Sequence, residues 1–204
     1  MCQETPTPVQ TLFFILGCLD EYLGRCIIED GDQVERFYAS EKDAANTFHA
    51  HLVRLAHERQ LDPDLEIKVE EDSGGISFHS RALTALIDSC YSFDFSTSAY
   101  RASDTEPTRV EAFISRDVFE RGDRRAKLSF LAGAYVRYGE GSLFRFANAE
   151  HKAELIRDLL NEFGCSQVEL VHTNPGGYVP WIFEVRFEPS PELSPWFSKP
   201  SASP

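Results

Sequence analysis

Two nine-residue stretches of this chain look like copies of each other. Phe14-Ile15-Leu16-Gly17-Cys18-Leu19-Asp20-Glu21-Tyr22 lies over Phe130-Leu131-Ala132-Gly133-Ala134-Tyr135-Val136-Arg137-Tyr138, with Phe, Gly and Tyr in register at a constant offset of 116 residues. The first copy is apolar nearly all round, as expected of a helix buried on most faces. A glycine inside such a helix costs backbone entropy, so it belongs where a side chain would block the approach of another backbone. The repeat constrains the chain to two related halves, each built on one such helix. Two unrelated buried helices in an ordinary α+β domain are the alternative.

The surrounding pattern supports two halves. Residues 25–30 and 33–39 are rich in Ile, Val, Phe and Tyr around Asp30-Gly31, a hairpin signal. Ser40 caps a helix to about Gln60 with Ala45, Phe48, Leu52 and Leu55 on one face. Residues 65–71 alternate, with Leu65, Ile67 and Val69 inward and Glu66, Lys68 and Glu70 outward. Ser73-Gly74-Gly75 turns the chain into residues 76–79, and Ser80 caps a third helix to about Cys90. The order is α-β-β-α-β-β-α. In the second half a strand at 142–147 leads to a helix capped by Asn148. Its Ala153, Ile156, Leu160 and Phe163 match the earlier apolar face at an offset of 108. That offset falls short of 116, so about one strand is lost or compressed between Tyr138 and Asn148. Residues 167–172 and 181–187 form a last hairpin. The expected division is a leader 1–9, a first half 10–91, a linker 92–110, a second half 111–188 and a flexible tail 189–204. Residues 110–121 add a helix before the second motif.

Phe130-Leu131-Ala132-Gly133 resembles the start of the LAGLIDADG helix of homing endonucleases. The tandem αββαββ order resembles the single-chain, two-motif form of that family over most of residues 10–188. The resemblance implies an α+β fold whose antiparallel sheets form a saddle, with Gly17 packed against Gly133 on a pseudo-two-fold axis. It also implies two acids per motif, spaced G-x-x-D-x-D, the second binding the catalytic metal. Here Asp20 and Val136 hold the first-acid positions, and Tyr22 and Tyr138 hold the second. A neutral phenol is a poor Mg²⁺ ligand at pH 7. The resemblance is therefore to a degenerate member: no catalytic residue, no bound metal or cofactor, and not an enzyme. Glu21 and Glu140 are the nearest other acids.

Charge bears on the partner. The net charge is −13, whereas nucleic acid is bound largely through phosphate neutralisation by Lys and Arg. Alternation places Glu66, Lys68, Glu70, Arg145, Glu169, Glu184 and Arg186 on the outer sheet faces, four acids against three bases. Glu29, Asp30, Asp32 and Glu35 add more acid on the first hairpin. Such a surface, with Tyr38 and Tyr178 as anchors, suits a protein partner carrying a basic patch. The reading is a monomeric subunit repurposed for protein–protein interaction in a regulatory or assembly role. A non-cutting nucleic-acid-binding regulator is the alternative, and an enzyme of unrecognised chemistry is a third class. The sequence has no G-x-S-x-G, P-loop or H-E-x-x-H motif. Cys2, Cys18, Cys26, Cys90 and Cys165 are odd in number and scattered, which suits reduced thiols in the cytoplasm. No stretch is long and apolar enough to span a membrane.

Overall fold

The computed structural model describes residues 9–21, 25–27, 31–94, 108–120, 123–174, 176–177 and 179–197. Tyr22, Glu29, Asp30, Tyr178 and most of the leader lie outside the described residues. The first part of the chain forms α1 (Thr11–Cys18), β1 (Arg25–Ile27), β2 (Gln33–Tyr38), a 3-10 turn (Ala39–Glu41) and α2 (Lys42–Glu58). It continues through α3 (Pro63–Glu66), β3 (Lys68–Asp72), β4 (Gly75–His79) and α4 (Arg81–Asp88). Then follow β5 (Tyr91–Asp94), β6 (Thr108–Ile114), α5 (Arg116–Glu120), α6 (Arg124–Tyr138) and β7 (Gly139–Glu140). The chain ends with β8 (Leu143–Ala147), α7 (Glu150–Glu162), β9 (Ser166–Thr173), β10 (Ile182–Glu188) and a 3-10 turn (Ser194–Trp196).

The class is α+β, with every strand pair antiparallel. The sheets run β2-β4-β3, β7-β8-β10-β9 and β1-β6-β5. Alternation along the strands decides which side each residue takes. Phe37 and Phe78 point from the first sheet onto Phe48 of α2, with ring centroids 5.1 and 5.3 Å from it. Phe144, Phe146, Val185 and Phe187 are buried on the inner face of the second sheet. The two glycine helices lie within the same core, with Ile15, Leu16, Phe130 and Leu131 all fully buried. Each such side chain contributes roughly 1.5–3 kcal/mol of burial.

Several local expectations change in the fold. Strands β1 and β2 do not pair with each other. β1 pairs with β6, and β2 with β4, so that Val34 and Phe37 share a face with Ile76 and Phe78. A turn signal fixes only where the chain reverses; the buried face selects the partner. The helix expected over 110–121 is strand β6 followed by the short α5. Val110, Ala112 and Ile114 are buried while Phe113 is exposed, a period of two that the intervening aromatic hides in the sequence. The linker expected over 92–110 has strands at both described ends, β5 and β6, paired from Tyr91–Ile114 to Asp94–Glu111. The strand missing after Tyr138 survives as the two-residue β7, which pairs with β8.

Asn148 is not the cap of α7. It sits at φ 48°, its backbone N–H donates to the Trp181 carbonyl, and its Oδ1 accepts from the Trp181 N–H, both at 2.8 Å. The tail packs instead of fraying as far as residue 197. Leu193 and Phe197 are buried, and the Phe197 ring lies 4.6 Å from Tyr135 and 5.3 Å from Phe187.

Candidate functional site

α1 and α6 cross at their glycines. A Cβ on Gly17 would collide with the Phe130 carbonyl oxygen, and one on Gly133 with the Phe14 carbonyl. The backbones touch because neither residue has a side chain. The Cys18 thiol donates across the crossing to the Gly133 carbonyl at 3.1 Å, and burial pushes its pKa up to about 12. This packing brings Leu19-Asp20-Glu21 beside Val136-Arg137-Tyr138.

The α1 end carries carbonyls with no helical partners, and a helix C-terminus attracts positive charge. Two cations from elsewhere meet that demand. Arg137, at the end of α6, has a side chain that is almost entirely buried and donates to the carbonyls of Cys18 (3.0 Å) and Arg36 (2.9 Å). It also pairs with Glu41 at 2.9 Å and Glu35 at 3.4 Å, and its guanidinium lies 4.2 Å above the Phe37 ring. Burial opposes the Arg137 charge, while the surrounding Tyr138, Glu35, Asp20 and Glu41 hold its pKa well above the usual range. Lys152, in the first turn of α7, is completely buried and donates to Leu16 (3.2 Å) and Leu19 (2.5 Å). Its nearest acid is Glu21 at 3.5 Å, which also accepts from the Tyr91 hydroxyl at 3.1 Å. Burial lowers the Lys152 pKa, and Glu21 works against that shift. The Tyr138 hydroxyl donates to the Leu19 carbonyl at 3.0 Å, and burial raises its pKa well above that of a free phenol.

A divalent cation is what the LAGLIDADG resemblance implies at these helix ends, and the described residues do not fit one. Val136 offers no donor atom, the Tyr138 phenol stays protonated, and the Arg137 and Lys152 cations stand among the carboxylates. Among the described residues no group of three or more His, Cys, Asp or Glu side chains could hold a metal ion. The periodic pattern contained a clue to this site that residue-by-residue motif matching missed. Lys152 precedes Ile156 and Leu159 by four and seven residues, which puts a charge on the buried face of α7. Arg137, Glu35 and Glu41 gave no such signal, because their meeting depends on tertiary packing alone.

The outer sheet faces hold most of the remaining candidates. Lys68 and Glu70 lie on β3 and bond each other at 2.6 Å. Arg36, Ser77 and Glu70 share one row across the sheet, and Arg36 grips Asp72 with two bonds of 2.9 and 3.0 Å. On the other sheet Arg145 faces Glu184, and Arg186 faces Glu169. Both arginines bond Glu184, at 2.7 and 2.8 Å, and hold its carboxyl below the usual range. Glu66 does not join this row. It belongs to α3, because Asp62 caps that turn through the Asp64 N–H and Pro63 fits its first position. The same turn leaves Leu65 outside at 85% exposure, where an inward position was expected. Arg36, Asp72 and His79 join the face unforeseen, His79 bonding Asp32 at 3.1 Å.

No helix among the described residues is long and apolar enough to cross a membrane. No protein-family model matches the chain, and no curated protein matches it by sequence. Solved structures do match. The structure of I-DmoI in complex with DNA and Ca superposes with a TM-score of 0.58 at 11% identity, covering 90% of this chain and 85% of that one. Mesophilic variants of the homing endonuclease I-DmoI give a TM-score of 0.51 at 12% identity, covering 86% and 83%. These neighbours are enzymes, which corrects the expectation that the chain is not one. Replacing the acid at a motif position does not take a chain out of a nuclease architecture, and acids such as Asp20 and Glu21 remain beside the helix ends. By architecture, this chain has the LAGLIDADG homing-endonuclease fold.

Proposed function

We propose that this LAGLIDADG-fold protein acts by engaging another protein across the outer faces of the β2-β4-β3 and β7-β8-β10-β9 sheets, in a regulatory or assembly role. The supporting observation is that the charges on those faces are matched with each other. Arg36 is paired with Asp72, Lys68 with Glu70, and Arg145 and Arg186 with Glu184. Phosphate binding draws its affinity from cations that replace condensed counterions. Here each of those cations would first have to leave a carboxylate, on a chain of net charge −13. A protein partner makes no such demand: it can meet these charge-matched faces as a polar interface, with Glu169 facing a basic group and Tyr38, 61% exposed, as an aromatic anchor. Free thiols at Cys18, Cys90 and Cys165 suit a reducing, cytoplasmic setting.

A second reading is nucleic-acid engagement, favoured by the likeness to I-DmoI in its complex with DNA and Ca. One experiment separates the two. Full-length protein and a Glu70→Lys/Glu184→Lys variant are used as bait in host extract, and each is titrated with duplex DNA at about 150 mM salt. Retention of a protein by the wild type, lost in the variant, with weak DNA binding, is the expected result. Tight, sequence-specific DNA binding by the wild type would establish the second reading.

A further inference from the structure

A cavity of about 180 Å³ opens between the end of β6 and the first turns of α7, with Glu21 and Lys152 at its base. Small-molecule pockets run to about 300–1,000 Å³, so this one has room for a group of side-chain size. Its walls carry Phe113, which is 38% exposed, with the His151 ring 5.2 Å away, and Leu155 beside them. Glu154 stands half-buried in the lining, and no ion pair of its carboxylate is found among the described residues. Lys152 offers little to an anion, because its ammonium is turned to the Leu16 and Leu19 carbonyls. Glu150 already answers the positive end of the α7 dipole. What remains is a carboxylate beside an aromatic face over an apolar wall, which is complementary to a cation with a flat, stackable head.

We propose that this cavity is an anchor pocket for one arginine side chain of the partner protein. The guanidinium bonds Glu154 and stacks on Phe113, and the methylene stem lies along Leu155. A lysine ammonium has the charge without the plane, so it fits less well. The inference rests on the protein-partner reading, but it concerns a contact separate from the sheet faces.

The test uses isotope-labelled full-length protein titrated with N-acetyl-arginine methylamide, with the lysine and citrulline analogues as parallel arms. Binding of the arginine compound should shift the resonances of Phe113, His151 and Glu154, while citrulline, its neutral counterpart, leaves them unmoved. Glu154→Gln should raise the Kd about tenfold, the loss of one charge-assisted pair. Phe113→Ala should weaken binding independently of that charge. Citrulline or lysine binding as well as arginine does, or an unchanged Kd in both variants, overturns the assignment. If Glu154→Gln keeps the protein partner while Glu70→Lys/Glu184→Lys loses it, the pocket fails and the sheet-face reading stands. Arginine binding at the pocket with no protein retained by wild type supports the pocket and sinks that reading.

Discussion

Glu21 and Arg137 occupy equivalent positions in the two copies of the motif, carry opposite charges, and each pairs with a residue of the other half. Glu21 meets Lys152 of α7 at 3.5 Å, and Arg137 meets Glu41, just before α2, at 2.9 Å. The crossing is symmetric in placement and inverted in sign. Arg137, Lys152 and Glu21 are buried and Glu41 partly so, so much of their solvation was given up on folding, and losing one partner leaves the other without that counterion.

Lys152→Met therefore should cost about 3–5 kcal/mol, because it leaves the buried Glu21 carboxyl without the Lys152 cation. The double variant Glu21→Gln/Lys152→Met should recover most of that loss. Denaturant unfolding of the three proteins checks this, and a double variant no better than the single one would contradict the ion-pair account.

Gly17→Ala and Gly133→Ala each should destabilise by about 1–3 kcal/mol, since the new methyl meets a backbone carbonyl that cannot step aside. At roughly 2–4 °C per kcal/mol for a chain of this size, a melting shift of several degrees is expected. An unchanged Tm would mean that the helices do not touch there.

His51 gives a pH dependence of known sign. Its ring stacks 3.8 Å from Phe14, its Nδ1 has no hydrogen-bond partner among the described residues, and burial together with the nearby Arg54 lowers its pKa from 6.5. The unfolded chain takes up this proton first as pH falls. Stability is thus unaffected above about pH 6.5 and declines below it until the folded ring also protonates. The difference in unfolding free energy between wild type and His51→Leu should change with pH only in that acid window. A difference that stays flat down to pH 5 would show that the ring protonates freely in the fold.

Phe197→Ala should cost about 3–5 kcal/mol, as for other buried aromatic truncations. The ring packs on Tyr135, Phe144 and Phe187. A frayed tail predicts no effect, so thermal melting distinguishes the two directly.

Local chemistry was enough to reveal some of this protein. The glycine helices, the cap at Ser80, the apolar face of α2 and the alternation of β10 follow from periodicity and short-range hydrogen bonding, which act over one or two turns; β3, exposed along its whole length with Val69 at 45%, does not show the expected inward row. Partner choice is different. β1 joins β6 from more than eighty residues away, Phe197 returns to Tyr135, and Arg137 finds Glu35 and Glu41. Those meetings are selected by which arrangement buries the apolar faces and neutralises the buried charges together, a condition on the whole chain. The sequence by itself determined the two glycine helices with their crossing, α2, α4 and α7, while β6 read as a helix. Only the tertiary structure decided that buried cations would stand at the helix ends, because the free energy of a charge there depends on every group packed around it.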